Sequence, residues 1–421
     1  MQYSLGVLKS PDKQDARGLD FCRACFSKNL VRILDLGFSP IANSLPDILS
    51  PCTEPIYPLV LSVCKDCNLG QIAEFESAHD IFSEYPYLSS TSSFWLQHAS
   101  YFVNEVVHKY PALKKGYVLE IASNDGYLLK YFQDQGIEVL GVDPAENVAL
   151  IAKGKGIPTI PKFFGVSLAI EILKKFGAPS LIVANNVAAH VPDMVDFFGG
   201  VAKLCGPTTI VSIENPSLGF LLENNYYDTI YHEHFSYLSV EPIQKLSKFL
   251  GMELFDVETL DTHGGSLRYW IGKSGFHQIN PSVGIVRDDE LKRGVGNRKK
   301  AEEFELQSKA SMGELATWVN TQPEKSIVGY GAAAKTVTTF FAARLSEDRF
   351  SMIIDANGLK QNHRLPGTKI PILSPEVLHN SSGTKVLVFP WNLENEIVEN
   401  IRRINPEVEI WIPNPLRRVN P

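Results

Sequence analysis

Between residues 117 and 261 short apolar runs of β type alternate with helix-length segments, the runs falling at 117–121, 138–142, 180–184, 208–213 and 253–257. This alternation predicts a parallel sheet covered by helices on both faces. A further run at 266–271 can pair antiparallel as a last strand. Residues 288–321 are charged and helical in period, with Lys292, Arg293, Arg298, Lys299 and Lys300 followed by Glu302, Glu303 and Glu305, and read as a solvated linking helix. A second alternation at 326–328, 350–354, 385–389 and 409–412 predicts another, smaller α/β domain. Upstream, 77–110 reads as a mostly helical bridge, broken at 84–90 where proline and serine crowd the chain. No internal repeat or low-complexity tract is present.

A chain of 421 residues has room for two or three domains. Its 44% hydrophobic and 21% charged residues are those of a globular protein, which excludes disorder as the main theme. The net charge of −7 provides no broad basic surface to follow a nucleic-acid backbone, so no nucleic-acid partner is expected. No run reaches the roughly 18 apolar residues of a membrane span, and residues 1–20 lack a signal-peptide pattern. The expectation is a soluble, cytoplasmic protein.

Four of the six cysteines form Cys22-x-x-Cys25 and Cys64-x-x-Cys67, 38 residues apart. Two such knuckles complete the closed tetrahedral thiolate shell of a structural Zn²⁺. Disulfides or redox CxxC motifs are the alternative, disfavoured because neither motif follows a strand and opens a helix. Cys52 and Cys205 read as packing residues.

Two turns have the shape of nucleotide sites. In the first, the run from Val118 through Glu120 and Ala122 to Asn124, Asp125 and Gly126 passes from a strand through small residues into a helix, and Asp143 ends the next strand 23 residues after Glu120. An acid there is placed for ribose hydroxyls. Without a phosphate-binding lysine, the site suits an adenosine ligand without phosphates, S-adenosylmethionine above all; a purely structural turn is the alternative. The second, Gly329-Tyr330-Gly331-Ala332-Ala333-Ala334-Lys335, matches G-x-G-x-x-A with Asp355 26 residues on, and supports a competing NAD-dependent reading. Lys335 just inside its helix suits a diphosphate instead.

Tyr231-His232-Glu233-His234-Phe235-Ser236-Tyr237 packs titratable groups densely near the end of the first α/β domain. It is not a zinc-protease motif. A histidine here can act as a general base, with the glutamate orienting it and tyrosines steadying an oxyanion. His190 follows the third strand, on the edge where ligands bind, although a core or capping histidine is the plainer alternative.

In this order the pieces resemble the S-adenosylmethionine-dependent sugar C-methyltransferases, which add a branch methyl to C3 of a nucleotide-linked 4-keto-deoxysugar, as in mycarose-like and tetronitrose-like sugars. The resemblance runs nearly end to end. It is carried by the knuckles, Tyr85-Pro86-Tyr87-Leu88-Ser89-Ser90, the run from Glu120 to Gly126, Asn186 to His190, Tyr231 to His234, His263-Gly264-Gly265-Ser266-Leu267-Arg268, Gly329 to Lys335 and Phe389-Pro390-Trp391-Asn392. It implies a zinc-binding domain over 1–76, a class I, Rossmann-like methyltransferase domain over 77–287 and a linker helix with a second Rossmann-like domain, which helps hold the nucleotide-sugar, over 288–421.

Carried over by position, His234 looks like the base at C3, with Tyr85, His190, Tyr231 and Glu233 positioning the sugar and stabilising the enolate. Glu120, Ala122, Asn124, Gly126 and Asp143 would hold the cofactor, and Asn186, Arg268 and Lys335 the nucleotide or phosphates. The 4-keto group is required because a carbon beside a carbonyl becomes a nucleophile only when a base takes its proton and donors absorb the charge on oxygen. Two departures stand out: Ala122 where the family commonly has glycine, and Val337-Thr338-Thr339 in place of an asparagine-containing stretch. The competing readings are a sugar O-methyltransferase, an NAD-dependent nucleotide-sugar oxidoreductase and a non-enzymatic zinc module. The nucleotide, the sugar stereochemistry and the oligomeric state stay open, a monomer being one of the options.

Overall fold

The computed structural model describes residues 19–82, 88–380 and 383–420. Three sheets organise them. After the first knuckle the chain forms β1 (Leu30–Ser39), β2 (Tyr57–Cys64) and β3 (Gly70–Gln71), paired antiparallel in that order. Leu34, Leu59 and Leu61 on these strands are buried, which supplies the apolar face that a small metal module otherwise lacks.

The second sheet contains β4 (Tyr117–Ile121), β5 (Glu138–Val142), β6 (Thr159–Ile160), β7 (Leu181–Asn185) and β8 (Ile210–Pro216), all parallel. Every residue of β4 is buried, as expected of a central strand covered on both faces. The chain then places β9 (Ser236–Tyr237) in the first sheet, beside β3, before returning with β10 (Met252–Leu260) and β11 (Ser266–Lys273). The order is β10-β11-β8-β7-β4-β5-β6, so β11 is antiparallel as expected but sits inside the sheet, between β8 and β10. This is the class I methyltransferase arrangement.

The expected single linking helix is two, Ser282–Arg293 and Arg298–Asn320. Gly294 and Gly296 adopt φ of 117° and 75°, left-handed values that no helix accommodates, and Asn297 caps the second helix by accepting from the amides of Lys299 and Lys300. The third sheet has β12 (Ile327–Tyr330), β13 (Phe350–Ile354), β14 (Ile372–Leu373), β15 (Lys385–Val388), β16 (Glu409–Pro413) and β17 (Leu416–Arg418), ordered β14-β13-β12-β15-β16-β17 and parallel except for the last.

One apolar core joins the first and third sheets: Leu34 and Leu61 from the first, Tyr227 and Ile230 from the segment before β9, and Phe340, Phe350 and Leu387 from the third domain. A second core holds Cys22, Cys64 and Leu69 of the first region together with Ile121, Ala184 and Ile213 near the carboxyl ends of β4, β7 and β8, the edge where α/β proteins bind ligands.

Candidate active site

A cavity of about 450 Å³ lies at this junction. The first sheet's region contributes Asn43, the methyltransferase sheet Ala122, Asn124, Asp143, Asn185, Asn186, His190 and Asn215, and the segment before β9 Thr229, Tyr231 and His234. Lys335 enters from the third sheet. A larger, more open groove of about 770 Å³ beside β1 holds none of the residues singled out from sequence.

The turn after β4 bends sharply: Ala122, Asn124 and Gly126 all have positive φ, of 57°, 49° and 78°. Asp143 at the end of β5 ties it down, Oδ2 accepting from the Asn124 amide at 2.8 Å and Oδ1 from the Ala145 amide at 3.0 Å. Burial raises the Asp143 carboxyl to about 6. Glu120 and Gly126, expected in the cofactor site, do not line the cavity. Glu120 is buried under the turn, where burial and then Asp143 and Asp125 push its carboxyl well above the usual range, and its Oε2 has no partner among the described residues. Gly126 serves the backbone, since a Cβ there would stand 2.9 Å from Ile157.

The candidate cluster is held by carbonyls. His190 Nδ1 faces Glu233 O at 2.7 Å and His234 Nδ1 faces Thr229 O at 3.2 Å, so both rings carry their proton on Nδ1 and present an unprotonated Nε2. The Tyr231 hydroxyl donates to His234 Nε2 at 2.6 Å, and the two imidazole centroids are 4.7 Å apart. Burial lowers the His190 pKa to about 4; burial, then His190 and Lys335, hold His234 well below its ordinary value. Both rings are therefore neutral bases.

Glu233 orients His190 through its backbone, whereas a carboxylate contact was expected. Its side chain turns away and accepts from the amide and Nδ2 of Asn43, at 2.8 and 3.1 Å, where burial raises its carboxyl to about 7. Arg268 likewise does not reach the cavity. It is buried against Glu214 at 2.6 Å, with His98 at 2.9 Å on the same carboxylate, and Thr262 donates to that group as well. Tyr85 lies outside the described residues.

Sequence reasoning missed Asn43, Trp95 and Asn215 and gave His263 no role, although all four line the cavity. His263, Gly264 and Gly265 have consecutive positive φ of 54°, 83° and 124°; the paired glycines are the signal that the chain is strained there. Buried amide atoms of Asn185, Asn186 and Asn215 have no partner among the described residues, which marks the cavity as built for a polar ligand.

The four knuckle sulfurs lie within 4.8 Å of one another, with Cys22 and Cys67 at 3.4 Å and Cys25 and Cys64 at 3.6 Å. A tetrahedral Zn²⁺ with bonds of about 2.3 Å needs edges of about 3.8 Å, so the set fits the ion. Cys205 is buried as expected, but Cys52 is exposed beside Glu54, in a stretch whose surroundings leave it uncovered.

The chain is 32% identical over 389 residues to the C-methyltransferase NovU of Streptomyces niveus, covering 91% of this chain and 92% of that protein. The chain belongs to the C-methyltransferase family. Segments of the C-methyltransferase match three domain families: a zinc binding domain family over 22–82, a methyltransferase domain over 95–256 and a C-methyltransferase C-terminal domain over 261–413. Over 77 residues it is also 38% identical to an uncharacterized methyltransferase of Alkaliphilus oremlandii (strain OhILAs), 18% of this chain and 33% of that one. Among solved structures it is similar to the magnesium protoporphyrin IX methyltransferase of Synechocystis PCC 6803 with bound SAM, at 15% identity and a TM-score of 0.32 over 42% of this chain and 79% of that one. The PH0226 protein of Pyrococcus horikoshii OT3 gives 14% and 0.35, over 48% and 100%.

The zinc binding domain match covers the four clustered cysteines, and the methyltransferase domain match covers the turn after β4 that lines the cavity. No helix among the described residues is long and apolar enough to cross a membrane.

Proposed function

We propose that the enzyme methylates C3 of a nucleotide-linked 4-keto-6-deoxysugar, with His234 removing the C3 proton. The observation that carries this reading is the Tyr231–His234 pair, a neutral imidazole whose unprotonated Nε2 accepts from a phenol hydroxyl at 2.6 Å inside the cavity that Asp143 and Ala122 also line. Asn124, Ala122, Asp143 and the unpartnered amides of Asn185 and Asn186 would hold S-adenosylmethionine. When bound it supplies a methyl on a sulfonium, an electrophile that needs alignment more than activation.

The chain's own part is to make a carbon nucleophile. The C3–H bond breaks as the Tyr231 oxygen takes the proton and passes its own hydrogen to His234 Nε2, and the electron pair forms an enolate whose charge rests on the C4 oxygen. His190 faces the same space with its own unprotonated Nε2 and orients the sugar through its hydroxyls. Localisation in the cytoplasm completes the reading.

The test is to incubate the protein with such a sugar in D₂O, with and without S-adenosylmethionine, following mass and the C3 proton signal. Methyl on carbon, with C3 exchange lost in His234→Asn, is the expected result. Methylation of a sugar whose ketone has been reduced would overturn it in favour of oxygen as the nucleophile.

A further inference from the structure

The second glycine turn is closed by the protein itself. A dinucleotide fingerprint uses its second glycine to bring a pyrophosphate against the backbone and its acid to hold ribose hydroxyls. Here a Cβ at Gly331 would stand 2.4 Å from Pro390, and one at Gly329 2.3 Å from Ile353, so protein fills both approaches. Asp355 accepts from the Ala332 amide at 2.8 Å, and Lys360 lies 3.5 Å from the same carboxylate oxygen while donating to Ala332 O at 2.8 Å.

Lys335 leaves this closed turn for the reaction cavity, the one residue beyond 288 that lines it among those described. Its ammonium sits over the Trp391 ring at 5.7 Å and is attracted by Asp228, whose Oδ2 accepts from Trp391 Nε1 at 2.7 Å. Trp391 is itself fixed, stacked on Tyr226 at 4.0 Å between centroids and packed on Gly264 so closely that a Cβ there would stand 2.7 Å from it. The charged and titratable groups facing Lys335 are thus Asp228 from the turn before the cluster, His234 from the cluster itself and His263 from the loop after β10. His234 is faced in turn by His190, Tyr231, Tyr237, His263 and Lys335.

On this geometry, and resting on the C3 reading above, we propose that Lys335 is a catalytic residue. The third domain's role is to deliver its ammonium to the C4 oxygen as the C3 proton leaves for the Tyr231–His234 pair. The bond bookkeeping closes within the site: the C3–H electron pair becomes the C3–C4 double bond, the carbonyl pair moves onto oxygen, and that oxygen is met by the Lys335 N–H donors. The same positive charge disfavours protonation of His234 and of His263, so the base stays ready at neutral pH. A preorganised donor of this kind contributes roughly 10²–10³ in rate.

The experiment compares wild type, Lys335→Met and Lys335→Arg with the sugar nucleotide that the wild type methylates. The expected result for Lys335→Met is a loss of about 100-fold in both kcat and the rate of C3 deuterium exchange. Its KM should stay within about threefold, and the acid limb of the exchange profile should move to higher pH. Lys335→Arg and added methylammonium should each restore part of the rate. The tryptophan fluorescence and S-adenosylmethionine affinity of each variant report whether it folds, and rescue by methylammonium decides the matter for a weakened protein. A rise in KM with exchange unchanged would make Lys335 a diphosphate anchor and overturn the proposal while leaving the C3 reading intact. Absence of exchange in the wild type with every 4-ketosugar would remove both.

Discussion

The molecule contains two strand–turn–helix units with the same acid-to-amide clamp, put to opposite uses. In each, the acid ending the next strand accepts an amide proton from the turn, Asp143 from Asn124 and Asp355 from Ala332, both at 2.8 Å. Around the first turn the neighbouring strands leave a cavity with unpartnered asparagine amides; at the second, Pro390 fills the approach to Gly331 and Lys360 donates to the Ala332 carbonyl. By sequence the second is the better nucleotide fingerprint. The contrast teaches that such a pattern encodes a backbone turn, and that whether a ligand enters is decided by side chains far away in sequence.

The largest effect expected from this contrast is at the acids. Asp143→Ala should weaken S-adenosylmethionine binding by about 100-fold in calorimetry, because it removes a ribose acceptor and the clamp on the turn together. Asp355→Ala should leave that affinity and the sugar KM within about twofold and lower only the melting temperature. Equal losses at both sites would erase the distinction drawn here.

A second effect separates the two turns by pH, since the open one is flanked by a buried histidine. The folded pKa of His190, about 4, lies below the unfolded value of about 6.5. Between these values the unfolded chain takes up a proton that the folded one refuses, so this contribution is complete above 6.5 and is lost as pH falls toward 4. Urea unfolding of the ligand-free protein should show wild type losing roughly 2 kcal/mol more than His190→Gln between pH 7 and pH 4.5. An identical pH slope for the two proteins would mean that His190 is solvated.

Much of the architecture was legible because apolar runs decided it: 117–121, 138–142 and 350–354 are strands at those residues. Where strands carry polar groups the reading fell short. The run at 208–213 continues to Pro216, its Glu214 hidden by Arg268 and His98, and β9, two residues long, has no pattern to see. The site was legible as far as it is local. His190, Tyr231 and His234 meet as the cluster suggested, but Asn43 arrives from about 190 positions away through Glu233, a contact no spacing encodes. Arg268 was misread because its nearest carboxylate, Glu214, sits directly opposite it on the neighbouring strand β8 and neutralises it before any ligand can.

The smallest expected effect concerns Ala122, the departure from glycine that the sequence exposes. Its φ of 57° is left-handed, a conformation that costs an alanine about 1 kcal/mol and a glycine almost nothing. Ala122→Gly relieves that strain but also gives the unfolded chain more freedom, worth about 0.4–1 kcal/mol in the opposite direction, so net stability should change by about 0.5 kcal/mol or less. At Gly331, where φ is 90° and Pro390 blocks the side chain, the reverse change meets both penalties and should destabilise by more than about 2 kcal/mol without touching S-adenosylmethionine affinity. Calorimetric titration of Ala122→Gly then sharpens the comparison at its finest grain. Unchanged affinity means that the open turn holds its ligand by backbone and carboxylate alone. A severalfold loss means that the Ala122 methyl packs on the ligand, and that the first turn uses a side chain where the second had to give one up.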